Sequence, residues 1–132
     1  MDTGSIVVDT SILIDHFRSR QKDNTILFKL SERHALFISS VTQFEFLVGA
    51  KPEQMEHIKA IIDVFQILAF DSKCAEIASD IFKSLKAEHQ HAEFRDVFIA
   101  ATAAANEMPL ATLNIRHFKK INEVELFSYK TD

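Results

Sequence analysis

The 132-residue chain carries a net charge of −4, with 47% apolar and 26% charged residues. These are ordinary values for one globular domain, and they exclude wholesale disorder and a uniformly basic nucleic-acid binder. They leave room for a nucleic-acid enzyme that meets phosphate through local patches or metal ions. A single Cys excludes an intrachain disulfide and a thiolate zinc cluster and fits a reducing cytosol. Two Gly leave little material for a glycine-rich phosphate cradle. The N-terminus lacks the charged-then-apolar pattern of a secretory signal. No apolar run approaches the ~18 residues of a membrane span. A cytoplasmic protein with no membrane association is therefore expected.

Residues 5–8 read as a first strand and 11–20 as a first helix, with Ile12, Leu13 and Phe17 on its apolar face. Arg18, Arg20 and Lys22 follow where cations suit the helix dipole. Asn24 is the expected N-cap of a second helix through about His34, with Ile26, Leu27 and Leu30 inward. Leu36-Phe37-Ile38 is a second strand. Ser39, Ser40 and Thr42 crowd the entry to a third helix, which carries Phe44 to Val48 and ends near Gly49. Pro52 suits the first turn of a fourth helix with a stripe of Met55, Ile58, Ile61, Ile62 and Phe65.

Ile67-Leu68-Ala69-Phe70 is a third strand, and Asp71 the N-cap of a long helix bearing Cys74, Ile77, Ala78, Ile81, Phe82 and Leu85. A loop near 90–94 leads to Arg95-Asp96 and a helix that is apolar almost all round, hence buried. Leu110-Ala111-Thr112 is a fourth strand, Asn114 to Phe118 a turn, and Val124 to Tyr129 a small last strand. Strands alternating with helices imply a mainly parallel sheet of four to five strands between two helical layers, a three-layer α/β/α domain. Right-handed crossovers then collect the strand carboxyl ends on one edge, where ligands bind.

Three acids reach that edge. Asp9 follows the first strand, Glu45 lies between Phe44 and Phe46, and Asp96 opens the apolar helix. Singly, each has a local explanation. Asp9 suits a helix cap, Thr42-Gln43-Phe44-Glu45 fits a capping box, and Asp96 favours a helix N-terminus. Jointly, three carboxylates in apolar surroundings are costly unless paired or metal-bound. Mg²⁺, which takes oxygen ligands and needs few carboxylates, is the natural remedy; Mn²⁺ suits the same donors.

At these residues the chain resembles the PIN-domain ribonucleases, and among them the VapC-type toxins of toxin–antitoxin pairs. The stretch from Val8 to Asp15 is similar to the family's first motif, and Ser40 to Gly49, with Glu45, to its second. Arg95 to Ala103, with Asp96, resembles the third, and Leu110 to Phe118 the fourth. The four occur in order over nearly the whole chain, as a single PIN-like domain spanning residues 1–132. The last motif often carries a fourth acid at the place of Asn114 or His117; here both are non-acidic. An amide still serves by accepting through its oxygen.

The resemblance implies a Mg²⁺- or Mn²⁺-dependent endoribonuclease, the toxin of a type II system, that hydrolyses RNA phosphodiester bonds through metal-activated water. Asp9, Glu45 and Asp96 would be the catalytic, metal-holding acids. Asn114 and His117 would support them. Thr10 and Ser11 suit either that support or the first helical turn, and Thr112 either a bond to Asp9 or packing. Arg95 and Arg116 would meet substrate as part of a basic rim with Lys119 and Lys120. The implied partners are an RNA substrate, a small antitoxin laid over the acidic pocket and a second copy in a homodimer, with the apolar helices of residues 24–66 as both protein surfaces. The competing class is a catalytically weak or inactive PIN-like module that binds protein or RNA. Asp15, His89 and His91 read as surface residues and Cys74 as inert core.

Overall fold

The structure is a computed structural model and describes residues 4–128. It opens with β1 (Ser5–Val8), α1 (Thr10–Arg18), a 3₁₀ turn at Lys22–Asn24 and α2 (Ile26–Ser31). Then come β2 (Ala35–Ser39), α3 (Ser40–Val48), a second 3₁₀ turn at Pro52–Gln54 and α4 (Met55–Ile62). β3 (Gln66–Leu68), α5 (Ser72–Ala87), α6 (Phe94–Ala105), β4 (Leu110–Ala111) and α7 (Ile115–Phe118) complete it.

The four strands form one sheet in the order β3-β2-β1-β4, every neighbouring pair parallel. Strand alternation sends Ile6 and Val8 to one face and Val7 to the other. Ile6 and Val8 pack with Ile12 and Leu13 of α1, Leu27 and Leu30 of α2, and Ile58, Ile61 and Ile62 of α4. Val7 packs with Ala78, Ile81 and Leu85 of α5 and with Val97, Ile99, Ala100, Ala101 and Ala103 of α6. This is the expected three-layer α/β/α arrangement, with four strands. No helix among the described residues is long and apolar enough to cross a membrane.

Several local expectations change. Thr25, not Asn24, caps α2: its Oγ1 accepts from Phe28 N at 3.1 Å, while Asn24 closes the preceding 3₁₀ turn. Thr25 Oγ1 also lies 2.6 Å from His16 Nδ1, so a tertiary contact selects between two adjacent cap-forming residues. Lys22 Nζ donates to the carbonyls of His16 and Phe17 at 2.8 and 2.7 Å, closing α1 with the charge its C-terminus favours. The expected turn at 114–118 is the short helix α7. The expected strand at 124–129 reduces to one parallel bridge, Leu110 to Leu126, because β4 offers only two residues to pair with; Tyr129 lies outside the described residues. Asp71 caps α5 as expected, accepting from Cys74 N at 3.1 Å. Asp15, His89 and His91 are exposed and Cys74 is buried.

In this order the chain leaves β1 toward β2 on one side and returns to β4 on the other. The crevice between the carboxyl ends of β1 and β4 is thus a topological switch point, where ligands of parallel α/β sheets bind.

Candidate active site

Asp9 ends β1 in extended conformation (φ −77°, ψ 157°) and occupies the N-cap position of α1. Its carboxylate makes no capping bond. Instead Oδ2 accepts from Ser11 Oγ at 2.8 Å and from Thr112 Oγ1 at 2.7 Å. Each hydroxyl in turn accepts a backbone N–H, Ser11 from Leu113 at 3.1 Å and Thr112 from Asn114 at 2.9 Å. Two short loops on either side of the switch point are thereby tied together through one carboxylate oxygen. Asp9 is only 4% exposed, yet no buried side-chain oxygen among the described residues lacks a hydrogen bond. Among the described residues no hydrogen bond reaches Asp9 Oδ1, and Asp9 lines the pocket that opens at this edge.

Glu45 is not the second half of a capping box. Ser39 caps α3 by accepting from Thr42 N at 3.0 Å, and Glu45 turns toward the site. Its Oε1 accepts from Thr10 Oγ1 at 2.7 Å and its Oε2 from Arg95 Nη1 at 2.6 Å. Thr10 and Thr42 hydroxyls lie 3.1 Å apart, and Ser39 Oγ donates toward Thr42 at 3.4 Å. This buried chain through Ser39 and Thr42 orients Thr10. The hydroxyl-rich entry to α3 signalled it, but spacing alone does not link residues 32 apart.

Asp96 lies in the first turn of α6 and is 5% exposed. Burial pushes its carboxyl above the usual carboxylate range; the charges of Asp9 and Glu45 push the same way, while Arg95 and His117 oppose them. His117 Nδ1 of α7 lies 3.4 Å from Asp96 Oδ2. A carboxyl raised in the folded state holds its proton more tightly there than when unfolded. Ionised Asp96 therefore costs stability, and the cost grows as pH rises through the window above the unfolded carboxylate value. Asp96→Asn is expected to raise the melting temperature in EDTA at neutral pH. The gain should fade as pH is lowered toward the unfolded value, and a uniform gain at all pH values would contradict this account.

A small pocket of about 190 Å³ opens here, lined by Asp9, Thr10, Ser11, Ile14, Arg95 and Asn114. The structure thus brings together Asp9, Thr10, Ser11, Arg95, Thr112 and Asn114, and links Glu45, Asp96 and His117 to them through direct pairs or charge. Arg116, Lys119 and the half-buried Lys120 follow on α7 and just beyond, with Arg116 exposed and no contact to the acids described.

The PIN domain family model matches residues 6–124, which spans all three acids and the Thr112 loop. The chain belongs to the PIN-domain family. Ribonuclease VapC1 of Methanocaldococcus jannaschii is 32% identical to this PIN domain over 129 residues, 97% of this chain and 89% of that protein. A toxin–antitoxin complex from Klebsiella pneumoniae contains a chain with TM-score 0.75 and 28% identity, covering 96% of this chain and all of that one. A chain of VapBC2 from Rickettsia felis, solved bound to a promoter DNA fragment, matches the fold with TM-score 0.80 at 24% identity, over 95% and 98% of the two chains.

As donors for a metal, the PIN-domain site offers carboxylate, hydroxyl and amide oxygens and no thiolate. That chemistry fits Mg²⁺ or Mn²⁺. Among the described residues no group of three Asp, Glu, His or Cys side chains is placed to hold one metal ion. Mg²⁺ does not require such a group, since it binds through one or two carboxylates and keeps several waters. Asp9 and Asp96 are the residues that would hold it, with Glu45 beside them.

Proposed function

We propose that this PIN domain is a Mg²⁺- or Mn²⁺-dependent endoribonuclease acting as the toxin of a type II toxin–antitoxin pair. The observation that carries the reading is Asp9, fixed by two hydroxyls across the switch point and, like Glu45, within charge range of Asp96. The ribonuclease name of the 32% identical relative supports the chemistry. When bound, a divalent ion supplies Lewis acidity at the phosphoryl group and activates water. The chain's part is to place and tune. Ser11 and Thr112 lock Asp9 in one rotamer, and Thr10 holds one oxygen of Glu45. His117 sets the orientation of Asp96. The Asn114 amide lines the pocket and offers an acceptor without charge. Arg95 and the exposed Arg116 supply the cationic rim that an acidic protein needs to receive an RNA backbone.

A small antitoxin and a second copy are the proposed protein partners; the toxin–antitoxin complex from Klebsiella pneumoniae among the structural neighbours supports the first of them. Phe44 and Val48 of α3, exposed by 64% and 68%, supply apolar contact within residues 24–66. The proposed location is the cytoplasm, where RNA substrates are found. The reading as a binding module draws on Asn114 and His117 in place of a fourth acid.

The test is a circular single-stranded RNA incubated with antitoxin-free protein. It should be opened in Mg²⁺ or Mn²⁺ and stay closed in EDTA. Circles intact in every metal would favour the binding module.

A further inference from the structure

One wall of the acidic pocket is a cation. Arg95 precedes Asp96 in the first turn of α6, and its Nη1 stands 2.6 Å from Glu45 Oε2 on α3. The two residues are 50 apart in sequence, so the fold assembles the pair. The Glu45 side chain is 16% exposed and that of Arg95 49%. After Glu45, the charges of Asp96 and Asp9 also act on Arg95, holding its guanidinium above even its usual high range. Arg95 thus pairs directly with Glu45 and adjoins Asp96 in the first turn of α6.

We infer that Arg95 is a resident counterion, which competes with a divalent cation for Glu45 and thereby sets how tightly the site holds its metal. The inference rests on the metal-dependent reading of the site and adds a determinant of affinity to it. Three features make the exchange feasible. The contact runs through a single nitrogen, without the two parallel bonds that make guanidinium–carboxylate pairs strong. Arg95 is half exposed, so its head group has solvent to move into. Glu45 keeps its other oxygen on Thr10, itself backed by Thr42, so the carboxylate stays oriented when the guanidinium leaves. A doubly charged ion is drawn to the Glu45 carboxylate more strongly than the single charge it would displace.

The test is calorimetric titration with Mn²⁺ alone on wild type, Arg95→Gln, Arg95→Lys, Glu45→Gln and the Arg95→Gln/Glu45→Gln double variant. Arg95→Gln should bind Mn²⁺ roughly tenfold more tightly, since removing one nearby positive charge strengthens the field at the ion. Arg95→Lys should stay near wild type. In the Glu45→Gln background the gain should shrink. In EDTA, Arg95→Gln should melt below wild type and recover that deficit at saturating Mn²⁺; a merely structural role would lower both. If Arg95→Gln fails to fold, Arg95→Met, which keeps the apolar stem, replaces it in the same comparison. Equal or weaker Mn²⁺ binding by the folded charge-removing variant overturns the counterion role while leaving the metal site standing. No Mn²⁺ binding by wild type overturns both.

Discussion

Asp9→Asn and Asp96→Asn are each expected to lower RNA cleavage on the order of 10³-fold, because several kcal/mol of transition-state charge stabilisation depend on ionised carboxylates there. The substitutions remove charge with little change of shape. Asp9→Asn retains an oxygen that accepts from Ser11 or Thr112, so the two loops stay tied. Asp96→Asn removes the carboxylate whose ionisation burial disfavours, so the protein should gain thermal stability as it loses activity. That opposite movement separates a site carboxylate from a structural one. Initial rates on a defined RNA, beside thermal melts of each variant, measure both. Activity within tenfold of wild type in either variant would remove that residue from the catalytic set.

Phe118→Ala is the second large effect expected, a loss of about 3–5 kcal/mol of stability, or a fall in melting temperature of roughly 10–20 °C for a domain of this size. Phe118 is fully buried at the end of α7, in the core formed with Ile81, Val97 and Ile121. α7 is four residues long and makes too few internal hydrogen bonds to stand alone. Phe118 therefore anchors it, and with it His117 beside Asp96. Urea unfolding gives the free energy directly. A loss below 1 kcal/mol would mean that α7 is held by something other than this side chain.

The three acids were legible because each interrupts an apolar stretch, where a carboxylate is costly without a purpose. β1 and β2 were legible as short apolar runs bounded by polar residues, α5 by its 3.6-period repeat and α6 as a stretch apolar almost all round. What spacing does not carry is which side chains meet. The bond from Thr112 to Asp9, 103 residues apart, was one of two alternatives on sequence, and the pairing of β1 with β4 decides for it. Arg95 and Glu45 were read separately as a rim cation and a metal ligand but are joined here as a pair. Asn24 and Thr25 are both good caps by type, and the nearby His16 ring, not propensity, accompanies the choice of Thr25. The overlong reading of the last strand has a similar origin: an apolar run was present, but its partner β4 was only two residues long. Phe94 and Phe98 are i, i+4 neighbours on α6, but Phe82 stacks on Phe94 only through the packing of α5 on α6.

The most direct test of the account is the chemistry of the ends made when antitoxin-free protein opens a circular RNA in Mg²⁺ or Mn²⁺. Water as the nucleophile leaves the RNA's 2′-hydroxyl untouched. The account therefore predicts a linear product with a 5′-phosphate and a 3′-hydroxyl, formed with metal and absent in EDTA. A product ending in a 2′,3′-cyclic phosphate, or one formed equally well in EDTA, would contradict it.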